Sequence, residues 1–202
     1  MKLCYIVGAG DFYGSFTPGE DDLVIAADGG YDTLSRLGIR CDLLIGDLDS
    51  IDSAPEGVEL IRHPIRKDLT DMHLCYLEGA RRGYEQFRIY GGTGGREDHT
   101  FANYSLLLYI RNQGKNAVLY GENNHTRVIK NEEIVLRGEE GKHFSAFAFG
   151  GEAKGVNISG LEYDAKDLTL SPDFALAVSN IFTKNDAKIS VKDGALLIMT
   201  EI

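Results

Sequence analysis

Short apolar runs alternate with segments of helical polarity through the first 122 residues. The runs lack the polar–apolar alternation of half-exposed strands, as is typical of strands buried on both faces of a parallel sheet. Repetition of strand, helix and strand predicts such a sheet with helices covering it. The predicted strands cover residues 3–7, 23–27, 43–45, 58–61, 87–90 and 117–120, and the predicted helices cover 31–37, 70–82 and 99–112.

The pattern changes after Glu122. The later segments are short, contain β-branched or aromatic residues, and are separated by glycine or Asn-Asp turns, without a helical period. They predict an all-β domain, a sandwich or barrel, with strands at 126–130, 134–136, 144–149, 156–158, 168–170, 175–178, 188–191 and 195–199. The predicted fold is a Rossmann-like α/β domain with a mainly parallel sheet at 1–122, followed by an all-β sandwich domain at 123–202.

The net charge of the chain limits the kinds of ligand that it is expected to bind. With 21 Lys and Arg against 31 Asp and Glu, the net charge of the 202 residues is -10. This argues against a nucleic acid partner, because phosphate backbones bind clustered Lys and Arg. It does not exclude a small phosphate ligand, because a bound divalent cation reverses the local sign. Twelve of the 17 aspartates precede residue 123, so the chemistry is expected there.

The cysteines and apolar runs predict a compartment. Cys4, Cys41 and Cys75 are odd in number and widely spaced, which argues against a disulfide framework or zinc site and favours a reducing compartment. The first apolar run ends at Val7, too early for a signal peptide. No run approaches the roughly 20 apolar residues of a membrane helix. A cytoplasmic protein with no membrane partner is expected.

Carboxylates follow two of the predicted strands. GDLDS (46–50) follows the strand at 43–45, and Asp28 with Gly29 follows the strand at 23–27. Ligands of open α/β sheets bind at these carboxyl ends. Asp47 and Asp49 repel each other, and a Mg²⁺ ion, which prefers carboxylate oxygens, would offset that repulsion. A turn or helix cap is the simpler alternative, but it leaves the second carboxylate unexplained.

KDLTD (67–71) lies where a helix is predicted to begin. Asp68 or Thr70 suits the N-cap, and Asp71 in the first turn suits the helix dipole. Functionally, Asp71 would join Asp47 and Asp49 on a metal ion, while Thr70 or nearby backbone N–H groups would meet a phosphate. The capping and binding interpretations are compatible, because a helix N-terminus is itself an anion site.

GGTGGREDH (91–99) places four glycines in five residues between a strand and a helix. Such a loop allows backbone N–H groups to approach a phosphate closely, and Arg96 adds a fork of donors. Asp98 and His99 begin the following helix. The alternative is a flexible turn with an aspartate N-cap, but a turn alone does not require four glycines.

Other common motifs are absent or imperfect. The first loop, GAGDFYG (8–14), has GxGxxxG spacing and is not followed by a helix start, so it does not match the dinucleotide fingerprint. The chain has no GxxxxGK[ST] P-loop and no serine or cysteine in a nucleophile elbow. The five histidines lack metal-ligand spacing, and His63 and His143 are expected to be bystanders.

Together, four stretches resemble the thiamine pyrophosphokinase family, also called thiamine diphosphokinase. They are ADGG (27–30), GDLDS, KDLTD and GGTGGREDH, in the family's order and at similar spacing. Asn103, GLEY (160–163), VSN (178–180) and GALLI (194–198) extend the resemblance over nearly the whole chain. Each motif is short, but four in order are specific.

The resemblance implies transfer of the pyrophosphoryl group of ATP to the hydroxyl of thiamine, which gives thiamine diphosphate and AMP. It implies Mg²⁺ as cofactor, an ATP-binding α/β domain and a β-sandwich. It further implies a homodimer in which thiamine lies between the α/β domain of one subunit and the β domain of the other.

Roles carried over from the family fall on particular residues. Asp47, Asp49 and Asp71 are implied as Mg²⁺ ligands and, with Asp98, as the catalytic carboxylates; Asp71 or Asp98 would accept the hydroxyl proton. Asp28 would order the metal–phosphate site, Arg96 and Asp98 would lie beside phosphates and thiamine, and Ser179 and Asn180 would contact thiamine across the dimer. The other expected binding positions are Gly29, Thr70, Gly92, Gly94, Gly95 and His99. Some members have a Trp near thiamine, whereas this chain has none, so Phe or Tyr must supply aromatic contact.

Two alternatives stay open. One is a related pyrophosphokinase acting on another alcohol, such as a hydroxymethyl pterin. The other is a non-catalytic nucleotide- or metal-binding module that kept the fold. The glycine-rich stretch and the Ser-Asn pair favour thiamine, and the full set of aspartates argues against a mere binding module.

Overall fold

A computed structural model of the chain describes residues 2–47, 56–62 and 68–202. Within these ranges the fold is mostly sheet with three helices, and the strands form a large mixed sheet of ten and a second sheet of four. The helices are α1 (Gly30–Leu37), α2 (Asp71–Arg81) and α3 (Glu97–Asn112). The strands are β1 (Cys4–Val7), β2 (Leu23–Ala27), β3 (Leu43–Gly46), β4 (Glu59–Arg62), β5 (Gln86–Tyr90), β6 (Asn116–Tyr120), β7 (Asn124–Lys130), β8 (Glu133–Arg137), β9 (His143–Ala148), β10 (Ala153–Ser159), β11 (Ala165–Leu170), β12 (Ala177–Ile181), β13 (Asp186–Ser190) and β14 (Ala195–Glu201).

The chain divides into two compact units. Unit 1 comprises Met1–Leu106 and Lys115–Glu122, and unit 2 comprises Leu107–Gly114 and Asn123–Ile202. The all-parallel strands β1 to β6 belong to unit 1, and the antiparallel strands β7 to β14 belong to unit 2. Sequence pattern predicts the helix and strand types in both halves correctly, with bounds that differ by a few residues.

Unit 1 is built on six parallel strands in the order β6-β5-β1-β2-β3-β4. Strands β1, β2 and β3 are buried along their whole length, which explains their unbroken apolar sequence. From β1 the chain order runs one way through β2 to β4 and the other way through β5 and β6. The carboxyl ends of β1 and β5 therefore form a topological switch point, where open sheets of this kind bind ligands.

Helices cover both faces of the unit 1 sheet because alternate strand residues point to opposite sides. On one face, Leu34 of α1 packs in a cluster with Tyr5 and Val7 of β1. On the other face, Tyr76 of α2 meets Phe87 of β5 edge to face, with ring centroids 5.0 Å apart. Helix α1 ends at Gly38, whose φ of 65° gives the predicted left-handed C-cap.

Unit 2 contains two antiparallel groups of strands. Four of them have the order β12-β9-β14-β7, and the second sheet has the order β11-β10-β13-β8. Alternate residues of both groups share one buried cluster, in which Phe144 of β9 meets Phe182 edge to face at 6.3 Å. Period-two burial along β9, β10 and β13 accounts for their alternating sequence.

Two of the three cysteines, Cys4 and Cys75, are buried. Cys4, Cys41 and Cys75, all within the described residues, are free thiols. Burial raises the pKa of the Cys4 thiol well above its usual range and that of Cys41 to about 11, so both stay protonated. In the part of the chain that the structure describes, no helix is long and apolar enough to cross a membrane.

Candidate functional site

A cavity of about 340 Å³ opens where β1, β2 and β5 end in unit 1. This is the switch point of the sheet, and the lining comes from the segments that follow the strands and from the starts of α2 and α3. The lining residues are Gly8, Ala9, Gly10, Ala27, Asp28, Thr70, Asp71, Met72, Gly91, Gly92, Gly94, Gly95, Arg96, His99 and Asn103. Seven glycine and alanine backbones among the loops leave the cavity wall rich in main-chain groups.

The first turn of α2 forms one wall. Thr70 is the N-cap, and its hydroxyl accepts a hydrogen bond from the His73 N–H at 3.3 Å. Asp71 is the first helical residue, and both side chains line the cavity. The positive end of the α2 helix dipole lies at this wall, which favours a bound anion.

The glycine-rich loop (residues 91–95) forms a second part of the cavity wall. Gly91, Gly94 and Gly95 have φ angles of 60°, 79° and 66°, a left-handed conformation that non-glycine residues adopt at a cost. Asn103, 4% exposed on α3, donates from Nδ2 to the Gly92 carbonyl oxygen at 2.8 Å. That bond fixes one carbonyl of the loop to α3.

We expect Asn103→Ala to destabilise the protein by about 1–3 kcal/mol, because the buried Gly92 carbonyl loses its hydrogen-bond donor. The free energy of unfolding, measured in urea, tests this. Asn112→Ala on the exposed end of the same helix is the matched control, and we expect it to change stability by less than about 0.5 kcal/mol. Equal losses in the two variants would contradict a specific role for the Asn103 amide.

Asp28 and Asp47 follow neighbouring strands at this edge of the sheet. Asp28 lines the cavity, and its N–H donates to the Ile45 carbonyl of β3 at 2.8 Å. It has a φ of 47°, a conformation that aspartate tolerates better than most residues. Asp47 is half-buried directly after Gly46, whose backbone lies against Asp28. The structure thus brings two of the predicted carboxylates to adjacent strand ends, although Asp47 is not among the lining residues.

Arg96 and Asp98 form an exposed pair at the start of α3. Arg96 Nη2 and Nε donate to the two carboxylate oxygens of Asp98 at 2.6 and 3.1 Å. This contact, together with the His99 N–H, lowers the pKa of Asp98 below its usual range. Arg96 and His99 line the cavity, whereas Asp98 lies beside it, bound to the Arg96 fork.

The donors at the cavity suit a hard divalent cation. Asp28 and Asp71 line it, and Mg²⁺ takes one or two carboxylates and completes its shell with water and phosphate. Within residues 2–47, 56–62 and 68–202, no group of three His, Cys, Asp or Glu side chains is placed to hold a metal. Asp49, the third predicted ligand, lies outside those residues.

Ser179 and Asn180 lie in unit 2, on β12. Ser179 is exposed, has a φ of 58°, and its N–H donates to Ser145 Oγ at 3.1 Å. Asn180 is buried, and its side-chain amide is hydrogen-bonded to the backbone of Tyr163. Its Nδ2 donates to the Tyr163 carbonyl at 2.8 Å, and its Oδ1 accepts from the Tyr163 N–H at 3.0 Å. The exposed hydroxyl and the buried amide therefore differ in what they offer a ligand.

The cavity also includes residues that sequence analysis does not select. Gly8, Ala9 and Gly10 belong to the GAG stretch that fails the dinucleotide fingerprint, and Met72 belongs to the first turn of α2. The absence of a helix after β1 is correct, but the loop still lines the cavity. The signal that finds it is its position at a strand end beside the switch point, and not its glycine spacing. Gly29 follows Asp28 but is not among the lining residues.

Comparisons with known proteins find a matching family, related sequences and a similar fold. A sequence model described as "Thiamin pyrophosphokinase, catalytic domain" matches residues 19–119, and one described as "Thiamin pyrophosphokinase, vitamin B1 binding domain" matches 128–196. The chain is 26% identical over 187 residues to thiamine pyrophosphokinase of Bacillus subtilis (strain 168), covering 89% of this chain and 87% of that protein. It is 25% identical over 173 residues to thiamine pyrophosphokinase 1 of Oryza sativa subsp. japonica, covering 77% and 64%. The crystal structure of the Bacillus subtilis protein has the same fold, with a TM-score of 0.87, 22% identity and coverage of 100% and 99%.

Proposed function

Since the chain belongs to the thiamin pyrophosphokinase family, we propose that it transfers the diphosphoryl group of ATP to the hydroxyl of thiamine, giving thiamine diphosphate and AMP. One observation carries the proposal: the cavity at the switch point combines Asp28, Asp71, Arg96 and a glycine-rich loop. All of these residues lie inside the stretch that the catalytic-domain model matches. Carboxylates, a guanidinium and main-chain donors are the groups that phosphoryl transfer requires.

The triphosphate of ATP is proposed to lie between the start of α2 and the glycine-rich loop. Both segments line the cavity, and helix N-termini and glycine-rich main chain are structures that bind phosphate; Thr70, the N-cap of α2, lines the cavity as well. Gly92, Gly94 and Gly95 would allow phosphate oxygens to approach the main chain. Gly29 would allow the same in the segment that follows β2. Arg96 would contact a phosphoryl oxygen, which requires it to share its fork with Asp98 or release it.

Asp47, Asp49 and Asp71 are proposed to hold Mg²⁺, with Asp28 ordering the same edge of the cavity. When bound, Mg²⁺ neutralises charge that develops on the phosphate oxygens. The protein's own contribution is then positioning, because the carboxylates follow the fully buried strands β2 and β3 and begin α2, which buries one side against the sheet.

The thiamine hydroxyl would attack the β-phosphorus of ATP in line. A new O–P bond forms, the bond from the β-phosphorus to the oxygen bridging the α-phosphorus breaks, and AMP leaves with that bond's electron pair. The hydroxyl proton needs an acceptor. Two acceptors are proposed: Asp71, which lines the cavity, and Asp98, which lies beside it and whose pKa Arg96 lowers.

Unit 1 is proposed to be a Rossmann-like catalytic domain at residues 1–122, and unit 2 a β-sandwich at 123–202 that binds thiamine and forms a homodimer. In that assembly thiamine would lie between the first domain of one subunit and the second domain of the other. The match of the vitamin B1 binding domain to 128–196 supports the second assignment. Ser179 is the proposed contact on β12, since its hydroxyl is on an exposed residue. Asn180 would act through the backbone it holds at Tyr163.

Three free cysteines support a cytoplasmic location, where thiols stay reduced.

His99 is proposed to border the phosphates, because it lines the cavity one residue after Asp98.

Release of AMP from ATP, followed with and without thiamine, tests the proposed activity. We expect AMP in step with thiamine diphosphate only when thiamine is present. AMP formed with a hydroxymethyl pterin and not with thiamine would assign the protein to another alcohol. Thermal stabilisation by ATP and thiamine without any AMP would identify a binding module and overturn the proposal.

A further inference from the structure

The segment after β1 has an unusual course for a parallel sheet. Described residues 8–18 form no helix between β1 and β2. Instead, Phe12 and Phe16 pack on the sheet face that also carries Tyr5 and Tyr90. This part of the face is therefore covered by two half-buried phenyl rings.

The rings form a continuous stack. The ring centroids of Phe12 and Tyr90 are 5.1 Å apart, and the ring planes differ by 19°. The ring centroid of Phe16 lies 4.9 Å from that of Tyr90. Phe16 also stacks on Tyr5 at 4.2 Å, with the planes 8° apart. Such aromatic pairs are favourable beyond the burial of their surface. Tyr5 and Tyr90 belong to β1 and β5, the two strands of the switch point.

The β1 loop (residues 8–11) is bonded to the end of β5 and to the glycine-rich loop. The Gly8 N–H donates to the Tyr90 carbonyl at 2.8 Å, the Gly10 N–H to the Gly91 carbonyl at 2.9 Å, and the Asp11 N–H to the Thr93 carbonyl at 3.0 Å. Phe12 follows Asp11 directly. The phenyl stack therefore anchors the end of this ladder of backbone bonds.

The two loops are also in steric contact. A β-carbon at Gly8 would lie 2.6 Å from the Gly91 carbonyl oxygen, and one at Gly10 would lie 2.5 Å from the Thr93 carbonyl oxygen. The two loops are therefore too close to admit side chains at Gly8 and Gly10, and the bonds from Gly10 and Asp11 tie the loops together. A glycine-rich loop has high conformational entropy by itself, so its order must come from such contacts.

We propose that Phe12 and Phe16 are positioning residues for the nucleotide. Their stack on Tyr90 and Tyr5 holds the β1 loop, and the β1 loop holds the carbonyls of the glycine-rich loop so that its N–H groups stay arranged for phosphate. The inference rests on the proposed function only in taking ATP as the ligand of this cavity. The phenyl rings do not line the cavity and act through the loops.

Two measurements on Phe12→Ala and Phe16→Ala test this role: the Kd for ATP with Mg²⁺ in the absence of thiamine, and the KM values for ATP and thiamine in turnover. We expect the Kd and KM for ATP to rise about tenfold, because a misplaced loop weakens phosphate contacts, while the KM for thiamine changes less than about twofold. Phe12→Tyr keeps the stacked ring and is expected to keep the wild-type Kd for ATP.

Val24→Ala is the matched control for general destabilisation, because Val24 is fully buried in the same cluster on β2. We expect it to lower the melting temperature without changing the Kd for ATP. An unchanged Kd in both phenylalanine variants, or an equal rise in Val24→Ala, would overturn the positioning role. A wild-type protein that binds ATP but forms no thiamine diphosphate would refute the proposed activity, and the ATP-binding comparison would still test the role of the rings.

Discussion

Asp71→Asn is expected to lower kcat by about a hundredfold or more while the protein keeps its fold, as removal of one electrostatic partner of a transition state does elsewhere. Asp71 begins α2 and lines the cavity, so asparagine would keep the shape of the wall and remove its charge. A neutral amide is a weaker ligand for Mg²⁺ and cannot take the proton of the thiamine hydroxyl. Both losses fall on the chemical step.

The helical position of Asp71 adds a stability effect that must be separated from the loss of activity. A carboxylate in the first turn of a helix stabilises it by about 0.3–1 kcal/mol, so Asp71→Asn lowers the melting temperature slightly. Asp68→Asn is the matched control, since Asp68 is exposed and precedes the N-cap Thr70. We expect the control to keep near wild-type kcat. If Asp71→Asn kept more than about a tenth of the activity at saturating ATP and limiting Mg²⁺, neither role of Asp71 would stand.

The strands of unit 1 are predictable from sequence because a strand buried on both faces leaves an unbroken apolar run. The predicted range 23–27 coincides with β2. The order of the strands is a different matter. Short apolar strands such as β1, β2 and β3 resemble one another, and no local signal says that β5 pairs with β1. The switch point, and with it the centre of the cavity, depends on that long-range pairing.

Helix and strand ends shift where a local cause competes with the pattern. The helix predicted at 99–112 begins at Glu97, because Glu97 and Asp98 in its first turn favour the helix dipole. The strand predicted at 175–178 instead covers Ala177–Ile181. In its register on β9, Asn180 pairs with Phe144. Asn180 is buried by its contacts with Tyr163, and a polar residue gives no local sequence signal that it will be buried.

Predicted site residues that depend on local sequence stand at strand or helix ends. Of these, Asp28, Thr70, Asp71, Arg96 and His99 line the cavity, whereas Gly29, Asp47 and Asp98 are not among its lining residues. The β1 loop escapes prediction because its contacts are with residues far along the chain, such as that of Gly8 with Gly91, 83 positions later. A sequence motif contains only neighbouring residues. The dinucleotide motif requires a helix after the loop, so it does not match here, and it carries no information about contact with the glycine-rich loop.

Gly91→Ala is expected to lower kcat/KM for ATP by about a hundredfold and to destabilise the fold by about 2–4 kcal/mol. Two separate costs combine at this residue. Its φ of 60° costs a side chain about 1–2 kcal/mol. In addition, the new β-carbon would overlap the Gly8 carbonyl oxygen, so the β1 loop or the glycine-rich loop must shift. The overlap, and not the φ angle, is what changes the phosphate-facing wall.

Gly38→Ala separates the two costs, because Gly38 has a similar φ of 65° at the end of α1 but no atom within 4 Å of a new β-carbon. We expect it to lose about 1–2 kcal/mol of stability and no activity per folded molecule. Urea unfolding and steady-state kinetics on the two variants, each at a temperature where both are folded, give the comparison. Equal kcat/KM values would mean that the spacing of the two loops does not control nucleotide use. A loss confined to Gly91→Ala would locate that control at the contact between Gly8 and Gly91, where β1 and β5 end side by side.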